Sequence, residues 1–154
     1  MTTHWLDTID STNSEALRRL PELAGGTVLA AREQTEGRGQ RGNTWFTEPG
    51  KNLTFSIVLK QLPLQAARSV RLNYLTSVAV ASFLESHGVK AAIKWPNDIY
   101  VEGRKICGML IENTLGPGGQ VMASVIGIGI NMNQTAFPQL ANATSLALCT
   151  GKEY

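Results

Sequence analysis

Residues 36–46, EGRGQRGNTWF, form a polar loop in which two arginines stand between glycines. Glycines leave backbone N–H groups open to a ligand, and the guanidinium groups of Arg38 and Arg41 can pair with carboxylate or phosphate oxygens. The two cations repel each other when no anion lies between them. The loop is therefore predicted to close over an anionic ligand and to be mobile until that ligand binds.

Gly37, Gly39 and Gly42 of this loop also complete a G-x-G-x-x-G pattern, which in dinucleotide-binding proteins joins a strand to a helix. Here the glycines are followed by aromatic residues, a Pro-Gly break and a second strand pattern, so no βαβ unit surrounds them. We therefore exclude a dinucleotide site. A tight turn would account for the glycines, but a turn alone does not require two arginines.

Hydrophobic periodicity predicts the elements that must position the loop. Residues 52–60 alternate between apolar and polar, as in a strand with one buried face. Apolar residues at helical spacing predict a helix over 66–87, which Gly88 ends. Other strand patterns lie at residues 26–34, 91–96, 98–103, 104–113 and 119–132. This order predicts an α+β fold with a mixed or antiparallel sheet.

A short helix is predicted at the start of the chain. Thr12 followed by Glu15 matches a capping box, and Pro21 should end the helix near Leu20. No strand is predicted before this helix.

The composition narrows the class of protein. The chain has 154 residues, enough for one domain, and a net charge of +2, too small to indicate a nucleic-acid-binding protein. No apolar run is long enough to span a membrane, and the N-terminus lacks a secretory signal, so a cytoplasmic protein is predicted. Two cysteines, Cys107 and Cys149, make no disulfide or metal framework, and Cys107 is predicted to be a buried thiol.

Four motifs in a fixed order resemble one family. They are STN at 11–13, GRGQRGNTWF at 37–46, KWPNDIYVEGRKICGMLIE at 94–112 and GIGIN at 127–131. Together they resemble the catalytic domain of biotin protein ligases. The resemblance implies a mixed β-sheet with helices packed on one side, with residues 1–154 as a catalytic domain that is incomplete at its C-terminus and has no DNA-binding domain before it.

The same resemblance implies a two-step reaction. Biotin and MgATP give biotinyl-5′-AMP and pyrophosphate, and a lysine of a biotin carboxyl carrier protein domain then takes the biotinyl group. The first step brings a carboxylate against a phosphate, and cationic groups must offset the repulsion of these two anions. By resemblance, Lys105 bridges the carboxylate and the α-phosphate, and Arg38 closes over the same groups, so these two are the predicted catalytic residues.

The resemblance also assigns ligand contacts. The implied biotin-binding residues are Ser11, Thr12, Asn13, Gln34, Gly37, Arg38, Gly39, Gln40, Lys105 and Gly108. The implied ATP-binding residues are Arg41, Trp45, Lys94, Asn97, Asp98 and Asn131, and Asp98 is also the candidate Mg²⁺ ligand. Trp45 is further expected to pack the loop beside the biotin tail.

Some residues allow a structural interpretation beside the functional one. Thr12 can be a helix cap, a biotin contact or both. Gly127 and Gly129 can allow a ligand to approach the strand closely, and for Gly129 a thinned core strand is an equal alternative. Trp95 and Pro96 are interpreted as structural.

Alternatives at the level of function stay open. A lipoate or octanoate ligase-type acyltransferase shares the fold and the lysine chemistry, and a non-catalytic biotin-binding fragment would suit a shortened chain. Gln40 stands where some family members carry a further arginine, so we expect this chain to release the adenylate more readily than an arginine-bearing relative. The implied partner is the carrier domain, with a homodimer through the sheet, no nucleic acid and no membrane.

Overall fold

The computed structural model describes residues 2–154 and contains one mixed sheet of seven strands in the order β1-β2-β3-β7-β6-β5-β4. Strand β1 runs parallel to β2, and every other neighbouring pair is antiparallel. The elements are β1 (Thr2–Ile9), α1 (Thr12–Arg18), β2 (Thr27–Gln34), β3 (Leu53–Lys60), α2 (Val70–Ser86), β4 (Ala92–Lys94), β5 (Asp98–Val101), β6 (Arg104–Leu115), β7 (Val121–Ile130) and α3 (Leu146–Thr150). The predicted mixed sheet with helices is confirmed.

The alternation in β3 divides the sheet into two faces. Phe55 and Ile57 point into a large apolar core with α2, whereas Ser56 and Val58 point to the opposite face. Because successive side chains of a strand point to opposite faces, the same strands build a core on one side and leave room for a site on the other.

Helix α2 covers the apolar face. It begins at Val70, after a single 3₁₀ turn at Ala66–Arg68, and ends at Ser86, close to the predicted range of 66–87. Gly88 follows with a φ of 80°, the left-handed conformation that glycine adopts at little cost and that ends helices. Leu84 is fully buried, which stabilises the fold by about 1.5–3 kcal/mol relative to an exposed leucine.

Helix α1 lies on the opposite face, so the helices do not all pack on the side that the resemblance implied. Its fully buried Ala16 belongs to a second, smaller apolar cluster with Leu29, Val58 and Val125. The N-cap is Ser11 rather than Thr12, because the Ser11 hydroxyl accepts the Ser14 N–H at 3.5 Å. The capping-box assignment to Thr12 was therefore wrong, and Thr12 makes its contacts elsewhere.

Two elements lie where no element was predicted. Strand β1 is an edge strand with mostly exposed side chains, held by its parallel pairing with β2. Helix α3 has only five residues; Ser145 caps its start, and Gly151 ends it with a φ of 72°. Within residues 2–154, no helix combines the length and the apolar character that a membrane crossing requires.

Candidate active site

A cavity of about 380 Å³ opens on the face of the sheet that carries α1. Three segments far apart in the sequence surround it, namely residues 11–13, the polar loop of residues 36–46 (the glycine–arginine loop) and residues 95–98. The predicted site residues that line it are Ser11, Thr12, Asn13, Gln34, Arg38, Gly39, Gln40, Arg41, Trp45, Asn97, Asp98, Lys105 and Gly108. The fold therefore brings most of the predicted site into one place, in a volume suited to a small-molecule ligand.

Glycines form the floor of the cavity. Gly108 of β6 lies directly opposite Gly129 of β7 in the sheet register, and the Trp45 ring rests on this pair. A Cβ atom at Gly129 would lie closer to the indole than real contacts allow, and one at Gly108 would meet the ring at 2.9 Å. At Gly127, a Cβ would meet the side-chain oxygen of Asn13 in the same way. Close approach to the strand, rather than a thinned core, is thus the geometric reason for these glycines.

The glycine–arginine loop is a small hairpin. The Gly39 N–H donates to the Asn43 carbonyl at 2.7 Å, and the Trp45 N–H donates to the Gly37 carbonyl at 2.8 Å. The loop turns at Arg41, whose φ is 57°. Gly37 has no space for a side chain, because a Cβ there would collide with the Trp45 carbonyl oxygen. The backbone pairing of the hairpin holds Trp45 across the glycine floor, and the predicted mobility of the loop stays a prediction.

Small polar groups form one end of the cavity. The Gln34 Oε1 accepts from the Thr12 N–H at 2.7 Å and from the Thr12 hydroxyl at 3.1 Å. The Ser56 hydroxyl lies 2.8 Å from the Thr12 hydroxyl and 2.6 Å from the Asn13 Oδ1. Ser11, Thr12 and Asn13 are all buried, so these hydrogen bonds fix the orientation of the STN segment in a site with little access to water.

Glu112 extends this network to the loop. Its carboxylate accepts from both terminal nitrogens of Arg38, at 2.7 and 3.1 Å, and from the Asn13 Nδ2 at 2.9 Å. Arg38 also lies 3.4 Å from the Ser14 hydroxyl. The guanidinium group of Arg38 is thus engaged by a carboxylate that does not line the cavity.

Lys105 is the cation of the cavity next to the glycine floor. Its Nζ lies 2.7 Å from the Asp98 carboxylate and 5.7 Å from the centroid of the Trp45 ring, and 22% of its side chain is exposed. The neighbouring Cys107 lies behind the strand in the apolar core, where burial raises the pKa of its thiol well above the usual range. The Lys105 side chain, and not the Cys107 thiol, therefore places a charged group in the cavity.

Arg38 and Lys105 do not meet in this structure. The partner of Arg38, Glu112, lies roughly 20 Å along β6 from Lys105 at the usual rise per residue of a strand. The implied closure of Arg38 over the same anionic groups as Lys105 would require the guanidinium group to leave Glu112.

Three predicted residues do not line the cavity. Gly37 shapes the hairpin from behind, and the exposed Lys94 extends its Nζ over the Tyr100 ring at 4.9 Å from the centroid. Asn131 is buried and donates from its Nδ2 to the Thr144 carbonyl at 3.0 Å, which ties the end of β7 to the segment before α3. Asn97 does line the cavity, but its Nδ2 donates to the Met109 carbonyl at 2.8 Å. The nucleotide roles of these residues stay predictions.

Four further residues shape the site without having been predicted to do so. Trp95 and Pro96 were interpreted as structural, but both line the cavity, and 66% of Trp95 is exposed. Ser56 and Glu112 complete the hydrogen-bond network. Glu112 lies on the same face of β6 as Gly108 and Leu110. A charged residue on the face that carries the glycine was the sequence signal that could have identified Glu112 as part of the site.

Among residues 2–154, no group of three or more His, Cys, Asp or Glu side chains is placed to hold a metal ion. Asp98 is the acidic residue among those lining the cavity, and it already pairs with Lys105. A Mg²⁺ ion fits here only as a companion of phosphate groups, since Mg²⁺ commonly takes one or two protein carboxylates and completes its shell with phosphate and water.

Comparison with known proteins places this site in a family context. The model of the biotin/lipoate A/B protein ligase family matches residues 5–131. The bifunctional ligase/repressor BirA of Escherichia coli is 42% identical over 130 residues, which cover 82% of this chain and 39% of that protein. The biotin--[acetyl-CoA-carboxylase] ligase of Paracoccus denitrificans is 38% identical over 126 residues, which cover 80% of this chain and 51% of that protein.

The fold has a counterpart among solved structures. The biotin protein ligase of Aquifex aeolicus in complex with biotin and ATP superposes with a TM-score of 0.76 and 31% sequence identity, covering 99% of this chain and 62% of that one. The chain thus spans roughly two-fifths to three-fifths of the length of these relatives.

Proposed function

Because the chain belongs to the biotin/lipoate A/B protein ligase family, as its four motifs indicated, we propose that it activates biotin with ATP. The products of this step are biotinyl-5′-AMP and pyrophosphate. The amine of a carrier-domain lysine then attacks the biotinyl carbonyl, which forms an amide and releases AMP. The observation that carries the proposal is a single cavity that combines a buried hydrogen-bonding end, a glycine floor and a partly buried lysine.

Lys105 is proposed to offset the repulsion between the two reacting anions. Adenylation brings the biotin carboxylate against the α-phosphate of ATP, and a cation acts strongly where water is largely excluded. The Lys105 Nζ is held at 2.7 Å by Asp98, and the side chain lies beside Gly108 in the lining of the cavity. Because Asp98 holds the ammonium group, the lysine is oriented before the substrates bind. Substrate oxygens would then share this group with Asp98.

The STN segment is proposed to bind the polar ring of biotin. Ser11, Thr12 and Gln34 present hydroxyl and amide groups at the buried end of the cavity, with their orientation fixed by hydrogen bonds. A cyclic urea offers both N–H donors and a carbonyl acceptor, which such groups can satisfy. The apolar tail would then lie against the Trp45 ring, which covers Gly108 and Gly129, and would extend toward Lys105.

The remaining features of the reaction are also proposals. ATP is expected to bring Mg²⁺, with Asp98 as the protein carboxylate near it. The acceptor is proposed to be a biotin carboxyl carrier protein domain, because the Paracoccus denitrificans relative is named for ligation to acetyl-CoA carboxylase. A homodimer and a cytoplasmic location stay predictions.

Biotin-dependent exchange of pyrophosphate into ATP tests the proposal. We expect exchange with biotin, none with lipoate or octanoate, and loss of exchange in Lys105→Ala. Exchange that prefers lipoate or octanoate would assign the chain to the other branch of the family. Biotin binding without any exchange would show a binding fragment rather than an enzyme.

A further inference from the structure

Glu112 joins two parts of the site that the chain itself separates widely. Its Oε1 accepts from the Arg38 Nη2 at 2.7 Å, and its Oε2 accepts from both the Arg38 Nη1 at 3.1 Å and the Asn13 Nδ2 at 2.9 Å. Arg38 belongs to the glycine–arginine loop and Asn13 to the STN segment. A single carboxylate on β6 therefore holds both walls of the cavity.

The geometry of this contact is that of a strong interaction. Two parallel N–H···O bonds between a guanidinium group and a carboxylate add directional specificity to the charge attraction. The pair is partly shielded from water, since 25% of the Glu112 side chain and 42% of the Arg38 side chain are exposed. Asn13 is itself fixed by Ser56 at 2.6 Å, so the carboxylate is anchored on the side away from the loop.

We propose that Glu112 is a positioning residue that holds the glycine–arginine loop over the biotin end of the cavity through Arg38. In this arrangement the Arg38 side chain ties the loop to β6, and its charge is neutralised by Glu112. The charge facing the reacting anions is supplied by Lys105, which lies elsewhere along the same strand. This assignment differs from the implied catalytic role of Arg38, and its kinetic consequences rest on the proposed function.

The ion pair between Glu112 and Arg38 should affect the binding of biotin rather than the chemical step. Within residues 2–154, the ion pair with Glu112 is the only one that the loop makes. Without it, the hairpin that carries Trp45 is free to move away from the glycine floor. We expect the KM and Kd for biotin to rise roughly 2- to 5-fold, which corresponds to the loss of about one partly exposed ion pair. The kcat of pyrophosphate exchange at saturating biotin should change little.

The test combines Glu112→Gln, Arg38→Gln and the double variant. Glu112→Gln keeps an oxygen for Asn13 and removes the charge that holds Arg38, and Glu112→Asp serves as a conservative variant that should restore part of the affinity. Glu85→Gln is the matched control, since it removes the same charge from an exposed position on α2. Hydrogen exchange of loop residues 37–46 is measured on the ligand-free chain, together with biotin KM and kcat.

We expect faster amide hydrogen exchange in the loop for both single variants. The double variant should exchange no faster than either single variant. Loop exchange equal to wild type in Glu112→Gln would overturn it. So would a large fall in kcat in Arg38→Gln that Glu112→Gln does not share, because that result would place Arg38 on the reacting groups. If the wild-type chain neither binds biotin nor exchanges pyrophosphate, the proposed function fails, and the exchange measurement on the loop still decides the role of Glu112.

Discussion

The two faces of the sheet use the same strands for opposite purposes. On the α2 face, β6 and β7 present Met109, Ile126 and Ile128 to a packed apolar core. On the other face, the alternate positions include Gly108, Gly127 and Gly129, which line the cavity, while Val125 packs with α1 in the smaller apolar cluster. Residues that pack in the α2 core and residues that line the cavity therefore alternate along β6 and β7. Neighbouring residues should respond to substitution in different ways, one in stability and the next in ligand binding.

The largest effect is expected on the stability of the core face. Leu84 is fully buried between α2 and the sheet, and Leu84→Ala should lower the free energy of unfolding by about 2–5 kcal/mol because it leaves a cavity in a packed core. Urea unfolding measures this loss. The Kd for biotin of the folded protein should stay near the wild-type value.

Leu75→Ala is the matched control on the same helix. Leu75 is 68% exposed, so its truncation should change the free energy of unfolding by no more than about 0.5 kcal/mol. Equal losses for the two leucines would contradict the assignment of the core to this face.

The second effect is expected on the cavity face. In Gly129→Ala the new methyl group would press into the Trp45 indole, which must then leave the floor of the cavity. We expect the Kd for biotin to rise about 10- to 100-fold, in line with the cost of overpacking a fitted site. Isothermal titration calorimetry measures the affinity.

Gly25→Ala is the control for this prediction, because a Cβ there meets only Lys60 atoms at an ordinary 3.6 Å. The control should bind biotin as the wild type does. Unchanged biotin affinity in Gly129→Ala would place the ligand away from the glycine floor.

A smaller effect is expected where the loop lacks a charge. Gln40 lines the cavity at the turn of the hairpin, and Gln40→Arg adds a cation that can bond to the phosphate of the adenylate. We expect the adenylate to dissociate about 3- to 10-fold more slowly, a modest gain for a partly exposed charged hydrogen bond.

Gln139→Arg adds the same charge at an exposed position outside the cavity lining and should leave the dissociation rate unchanged. Stopped-flow dissociation of preformed biotinyl-5′-AMP measures both variants. Equal rates for wild type and Gln40→Arg would show that the turn of the loop does not contact the phosphate.

The sequence predicted the elements whose side chains alternate or repeat clearly. Strand β3 and helix α2 have apolar residues at a regular period because each buries one side, and both were found close to their predicted bounds. Strand β1 escaped prediction because it lies at an edge with most side chains exposed, and its pairing with β2 is not local. Helix α3 is too short for periodicity to show.

The candidate site was also predicted only in part. The motifs identified the residues of the STN segment and the loop, and the fold brings them to one cavity. Hydrogen-bond partners could not be predicted, because Glu112 meets Arg38 and Asn13 only after β6 is placed in the sheet. The position of Lys94 also depended on tertiary structure, since its side chain extends over Tyr100 instead of into the cavity.

The smallest predicted effect concerns the start of α1, outside the cavity lining. Arg18 donates to both carboxylate oxygens of Asp10, at 2.6 and 2.8 Å, and this contact is the main reason why the pKa of Asp10 falls from 3.8 to about 2. The Ser11 N–H also donates to Asp10, so the pair holds the residue that caps the helix. A lowered pKa in the folded state contributes stability above about pH 4, and this contribution is lost as the pH falls toward 2.

Asp10→Asn should therefore be slightly less stable than wild type at neutral pH, and the difference should shrink as the pH falls from 4 to 2. The effect is small because the pair is exposed to solvent and its attraction is screened, so about 1 M salt should reduce the difference further. Urea unfolding at several pH values measures it. A difference between variant and wild type that stays constant across this range would show that Asp10 supports the helix through shape and hydrogen bonding rather than through its charge.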